Sequence, residues 1–234
     1  MNILRRLVKC NRSASAWIAR CFPKAFANPS PSYRSILLQR IADDIDATSG
    51  TMLILEAGGV DRPLLKLSSK YEFIGLDIDE RPDCARLYDR FIVQSIEKRL
   101  PVRPNMIVSY TLLEHVPDNT AAIAEIFKAL KPGGVTHHYV PSRCHPYSLI
   151  LRVIGPRLQK RLIPILRPGT EDVTGYPTFF HLCSPKAMEI AFRDIGFTDV
   201  EIQPFFRAND YFAFITPLFV LVTMFENLCR KLKL

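Results

Sequence analysis

Apolar runs of strand length alternate with stretches of helical period along residues 36–142, and the alternation predicts an α/β domain with a mainly parallel sheet. Residues 36–45 (ILLQRIADDI) have helical period, whereas 51–59 (TMLILEAGG) and 71–79 (YEFIGLDID) are short apolar runs. The runs at 89–96 (DRFIVQSI) and 105–113 (NMIVSYTLL) are rich in β-branched and aromatic residues, which suits strands. Between 119 and 134, Ile123, Ile126, Phe127 and Leu130 recur three and four apart, and Lys131-Pro132-Gly133-Gly134 supplies a helix stop. A further strand follows at 135–142 (VTHHYVPS), and a helix at 184–197 begins on Ser184-Pro185 and stops at Gly196. With 198–206 (TDVEIQPFF) and 211–216 (YFAFIT) read as two more strands, the expectation is a seven-stranded sheet flanked by helices. Ligands of such sheets bind where strands give way to loops at their carboxyl ends. The positions of interest are therefore Glu56, Gly58, Asp77, Asp79, Gln94, Ser95, Ser109 and Tyr110.

The rhythm breaks after residue 140. Residues 141–183 are too long for an ordinary connection and are expected to form a partly helical insert over or beside the site. Residues 1–32 read as a basic amphipathic leader, with Ile3, Leu4, Leu7 and Val8 on one side, and a linker marked by NPSPSYRS (28–35). The main domain is expected over 33–234, ending in an apolar helix at 217–234. The apolar stretch 211–225 falls short of the roughly 20 residues that a spanning helix needs, and Pro217 interrupts it. It reads as a buried strand and core helix, or as an element that dips into a surface.

Charge refines this picture. The net charge is +8, but residues 1–26 carry six bases and no acid, and residues 141–170 again carry only bases. Residues 27–140 hold 13 basic and 15 acidic side chains, so the excess is localised rather than spread over the body. Such patches suit an anionic surface or ligand. Six cysteines occur without a C-x-x-C pair or metal-type spacing, which points to reduced thiols in a cytoplasmic setting and to no metal site. The first residues lack the continuous apolar core of a secretory signal.

The candidate chemistry sits at three strand ends. Glu56-Ala57-Gly58-Gly59 closes the first strand, and Asp77 closes the second 21 residues after Glu56. That separation is close to the one between a nucleotide-fold turn and its ribose-binding carboxylate. No G-x-G-x-x-G is present, and an acid at the mouth of the turn would repel a pyrophosphate. The segment LLEHVPDNTAAIAEIFKALKPGG (112–134) follows the fourth strand.

In order and spacing these segments resemble the class I S-adenosylmethionine-dependent methyltransferases, in the branch whose fourth strand leads into an EHVPD turn and a helix ending LKPGG. The likeness covers residues 33–140 and extends more loosely to 184–215. It implies a Rossmann-like sheet, S-adenosyl-L-methionine as cofactor, and methyl transfer. It also implies that Glu56 attracts the cofactor's sulfonium and ammonium and that Ala57, Gly58 and Gly59 flank its methionine portion. Asp77 would hold the ribose, Ile78 would pack on the adenine, and Gln94, Ser95 and Ile96 would lie along the adenine edge. Ser109 and Tyr110 would line the floor beneath the methyl group. Two departures stand out: Val60 and Arg62 occupy positions where the family places glycines, and Asn105 replaces an acid at the start of the fourth strand. A β-branched residue resists positive φ, so Gly59 is expected to absorb the strain.

Methyl transfer to a hydroxyl needs in-line placement and removal of a proton, and histidine is the natural base. His145, past the end of the fifth strand, and His181, where the insert rejoins the body, rank ahead of His115 in the EHV turn. No RNA-type aromatic signature or zinc knuckle is present, so no nucleic acid is expected as partner. The insert mixes bases with leucine and isoleucine, as a surface lying on anionic lipid does. Together with a likeness to methyltransferases of bacterial cell-surface polysaccharide pathways, this suggests a lipid-linked glycan, quinone-like ring or other amphiphilic small-molecule acceptor. The enzyme would then be cytoplasmic and peripheral on the inner face of the membrane; the sequence sets no oligomeric state. The competing expectations are a membrane-associated scaffold or regulatory subunit with the same fold but little cofactor affinity, and a dehydrogenase, which Glu56 and the missing glycines disfavour.

Overall fold

The computed structural model describes residues 3–26, 28, 30–167 and 176–232. The chain divides into two compact units. A sheet unit comprises Arg34–Cys144 and Thr178–Gln203, and a helical unit comprises Met1–Tyr33, His145–Pro177 and Pro204–Leu234.

The sheet unit is built on β1 (Met52–Ala57), β2 (Tyr71–Asp77), β3 (Arg90–Val93), β4 (Met106–Tyr110) and β5 (Val135–Tyr139). All neighbours pair in parallel, in the order β3-β2-β1-β4-β5. The order reverses between β1 and β4, and the chain leaves those two neighbouring strands in opposite directions, which opens a crevice at their carboxyl ends. Helix α3 (Tyr33–Ala47) covers one face, where Ile41 packs with Ile54, Phe73, Met106 and Val108. Helices α5 (Asn119–Ala129) and α7 (Pro185–Ile195) pack on each other, and the Phe192 ring of α7 lies 5.7 Å from that of His138 on β5. Because helices cover both faces, the central strands are apolar on both sides, as the uninterrupted MLIL of β1 shows. A short helix α4 (Cys84–Leu87) precedes β3.

Asn105 accounts for one departure noted in the sequence. Its Oδ1 accepts from the Leu53 N–H and from Lys131 Nζ, both at 2.9 Å, and its own N–H and C=O bond to Leu53 and Val135. It thus ties β1, β4 and β5 together at their amino ends, away from the crevice.

Five strands are present among the described residues, not seven. Residues 201–208 form no ladder; Pro204 lacks the N–H that a central strand needs, and Arg193 occupies the Thr198 and Val200 carbonyls. Residues 209–212 instead form a 3-10 turn, so β5 is the edge of the sheet.

Leader, insert and C-terminal helix meet in the helical unit, whose helices are α1 (Ile3–Cys21), α2 (Pro23–Phe26), α6 (Pro146–Leu166) and α8 (Thr216–Leu232). Within the insert Pro146–Leu166 is helical except at Gly155 (φ 68°, ψ 166°), where Pro156 follows and α6 breaks; 141–145 and 176–183 are irregular, and residues 168–175 lie outside the described residues. Polar contacts hold the unit together. Glu226 of α8 accepts from Arg207 Nη1 (3.1 Å), the Ala208 N–H (2.6 Å) and His145 Nε2 (3.2 Å). Asn11 and Ser15 of α1 bond to Thr216, and Asn209 donates to Thr223. No helix among the described residues is long and apolar enough to cross a membrane.

Candidate functional site

The turn after β1 is held from beneath. Glu56 is 1% exposed, and both its carboxylate oxygens lie within 3.0 Å of the Leu64 N–H, which closes the turn on itself. Burial pushes its carboxyl up to about 8, partly offset by that backbone bond and by the Arg34 guanidinium. Glu56 therefore keeps its proton through much of the neutral range and shapes the turn. It does not present the open negative charge expected to attract a sulfonium. A Cβ on Gly59 would fall on the Tyr88 hydroxyl and 2.5 Å from Glu56 Oε1, so only glycine fits there.

Left-handed backbone is found at Gly58 (φ 84°) and at Val60 itself (φ 45°), whereas the expectation put the strain on Gly59. The Arg62 N–H bonding to the Gly59 carbonyl (2.8 Å) and the pull of Leu64 on Glu56 fix the turn tightly enough to hold a β-branched residue in that region. Thr111, just past β4, is also left-handed (φ 54°). Strained non-glycine residues thus border the crevice on both of its strands, a placement typical of ligand clamps.

Asp77 ends β2 half-buried, with Oδ1 accepting from the Asp79 N–H (3.0 Å). Desolvation raises its carboxyl above the ordinary range despite that bond. Ile78 is 73% exposed, an apolar platform beside Asp77 at the strand end. Gln94 donates its N–H to the Asp77 carbonyl, which brings the loop after β3 alongside; Ser95 is bonded to Glu97, and Ile96 is buried beneath. Asp61 and Arg81 pair at 2.6 Å and connect the turn after β1 to the loop after β2.

Ser109 and Tyr110 take different faces of β4. Ser109 is fully buried and bonds to His138 Nδ1 (2.7 Å), while His138 Nε2 meets Thr136 Oγ1 (2.6 Å). Thr136 donates its proton to the Ile107 carbonyl (2.9 Å), so His138 carries its proton on Nε2 and accepts from Ser109. Burial pushes this imidazole down to about 3. Ser109 is thus bound inside the layer facing α7 rather than lining an open floor. Tyr110 stacks on Tyr139 (5.0 Å, 20°), with the Arg34 guanidinium 5.9 Å from its ring centroid.

The predicted bases are engaged elsewhere. His145 Nδ1 accepts from the Tyr147 N–H at the start of α6, which leaves the proton on Nε2, directed at Glu226. His145 belongs to the helical unit as a cap. His181 Nδ1 accepts from the Asn119 N–H (3.0 Å), and Asn119 Nδ2 returns to the His181 carbonyl (2.6 Å). A ring whose accepting nitrogen is already filled cannot take a substrate's proton, so neither is placed as a general base. His115 lies in the 3-10 turn Leu113–His115 after β4, with its side chain 32% exposed and Nε2 3.9 Å from Glu114 Oε1. Of the three, it is the one next to the crevice in sequence and strand order.

Arg34 escaped the sequence reading. The available signal was a base opening the helix that leads into the first strand, set against an acid at that strand's end. It brings positive charge to the carboxyl edge, which suits a ligand carboxylate.

A family model described as "Methyltransferase domain" matches residues 9–202. A curated relative, "Ubiquinone biosynthesis O-methyltransferase" of Pseudomonas fluorescens (strain SBW25), is 27% identical over 85 residues, which is 36% of this chain and 35% of the relative. The match thus spans about a third of that protein's length. Among solved structures, the CurJ carbon methyltransferase is similar at 14% identity over 73% of this chain and 49% of that one, with a TM-score of 0.49. A putative S-adenosyl-L-methionine-dependent methyltransferase of Methanococcus maripaludis is similar at 17% identity over 82% of this chain and 87% of that one, with a TM-score of 0.42.

Proposed function

We propose a reaction for this chain, which belongs to the class I S-adenosylmethionine-dependent methyltransferases: transfer of a methyl group to a hydroxyl of an amphiphilic small molecule. The observation that carries the reading is the pair of strand ends, a β1 turn with left-handed Gly58 and Val60 beside a half-buried Asp77 closing β2. The residues fit the cofactor. Gly58 leaves room that a Cβ would lose to Leu112 at 3.0 Å.

When bound, S-adenosylmethionine supplies a methyl group activated on a sulfonium. Asp77 would accept the ribose hydroxyls, with Ile78 against the adenine and Gln94, Ser95 and Ile96 forming the neighbouring wall. Gly58 and Gly59 would admit the methionine portion, and Arg34 its carboxylate. Tyr110, stacked on Tyr139, would orient the acceptor in line, and His115 would hold or receive the hydroxyl proton. A hydroxylated quinone-like ring or lipid-linked glycan fits this aromatic edge, and the O-methyltransferase name of the Pseudomonas relative supports an oxygen acceptor. Calorimetry with S-adenosylmethionine, its demethylated product and NAD(H) tests the site. Binding of the first two alone is expected, with affinity lost in Asp77→Ala; binding of NAD(H) instead would refute it. The side chains of Val60 and Arg62, where the family places glycines, favour a second reading, a scaffold with little cofactor affinity, for which none of the three ligands would bind.

A further inference from the structure

We propose that the helical unit docks on an anionic lipid surface through the outward stripe of α8 and the exposed apolar side of α1. Helix α8 is reversed with respect to water. It turns Thr223 and Glu226 inward, where both are at most 2% exposed. It leaves Leu221, Met224, Phe225, Leu228 and Leu232 between 44% and 63% exposed. At 3.6 residues per turn these five share one side, opposite Phe219, Val222, Thr223 and Glu226. Helix α1 repeats the arrangement. Asn11 and Ser15 face inward to Thr216, while Ile3 (75%), Leu7 (56%) and Trp17 (59%) face out. Exposed apolar residues scattered singly are ordinary, but two helices that bury polar groups and expose apolar stripes mark an interaction surface.

Charge selects the occupant. The helical unit contains 15 Lys and Arg against 4 Asp and Glu, whereas the sheet unit contains 16 against 19. Helix α1 has no acid, and the one acid of α8, Glu226, is buried in a bond to Arg207. The apolar stripes are therefore flanked by exposed Arg6, Lys9 and Arg20 on α1 and by Lys231 on α8. A second copy of the chain would set like charge against like charge. A nucleic-acid backbone would leave Leu221, Phe225 and Leu228 in water. A phospholipid surface satisfies both features, because the acyl boundary takes the apolar side chains and the headgroups take the bases. This docking goes beyond the reaction proposed above, and its test does not read turnover.

The test is sedimentation of the full chain with phosphatidylcholine vesicles, with and without phosphatidylglycerol. The expected result is co-sedimentation with the anionic vesicles at low salt, weakening as salt rises. Arg6→Gln and Lys9→Gln should each lower the partition coefficient about fivefold. Leu228→Glu and Leu221→Gln, with circular dichroism unchanged, should abolish binding. The proposal is overturned if the wild type stays in the supernatant with anionic vesicles, or if the α8 variants bind as it does. It is equally overturned if the stripe instead holds a dimer that Leu228→Glu dissociates without any vesicle binding.

Discussion

Glu114, within the 3-10 turn after β4, is 4% exposed, with Oε2 lacking a hydrogen-bond partner among the described residues. Burial pushes its carboxyl up to about 8. In the unfolded chain the same group ionises near 4.5, so between these values the native state binds more protons, and stability falls as pH rises. Glu56 adds a slope of the same sign over the same window. Glu114→Gln keeps the shape and removes one titration, so its melting temperature should fall less than the wild type's between about pH 5 and 8 in calorimetry. Gly59→Ala drives a methyl group into Tyr88 and Glu56 and should cost about 1–3 kcal/mol in urea unfolding. Asp77 was legible in the sequence because its position depends on spacing along two strands. The roles of the histidines were not, because the partner of a ring nitrogen is set by distant backbone: Asn119 N–H for His181 and the turn of α6 for His145.

Among elements, the central strands β1, β2 and β4 follow from their apolar runs, since parallel strands buried on both faces need largely hydrophobic sequence, whereas the edge strands β3 and β5 are only partly buried. The two expected strands after α7 have similar composition but no partner for their backbone in the sheet, and apolar content alone cannot report pairing. Asn105 shows the converse case, in which an apparent departure from the family pattern serves strand assembly. Asn105→Ala removes the acceptor of the half-buried Leu53 N–H and should destabilise the sheet unit by about 1 kcal/mol. Asn105→Asp keeps an acceptor for both Leu53 and Lys131 and should remain within about 0.5 kcal/mol of wild type in the same denaturant titration. Val60 is an element-scale matter too. Its left-handed backbone persists because Glu56 and Leu64 close the turn on either side of it.

At the scale of the molecule, the sequence sets the leader apart and keeps the insert and terminal helix in the main domain, whereas the structure gathers all three into one unit, joined by polar bonds and by ring contacts such as Phe26 on Phe219 that pair segments remote in sequence. Arg207 and Glu226 are nearly fully buried as a pair. Glu226→Ala leaves Arg207 Nη1 and the Ala208 N–H without their acceptor, Arg207 Nη2 keeping Asn227 Oδ1, and should destabilise the helical unit by about 3–5 kcal/mol, read as loss of helical signal at lower urea concentration. The bonds from Asn11 to Thr216 span 205 residues of chain. During synthesis at about 5–20 residues per second, α1 therefore emerges some tens of seconds before the helix that receives it. The sheet unit can fold in that interval, since its last segment ends at Gln203. Throughout it, the newborn α1 presents its bases and its apolar side to whatever lies near the ribosome.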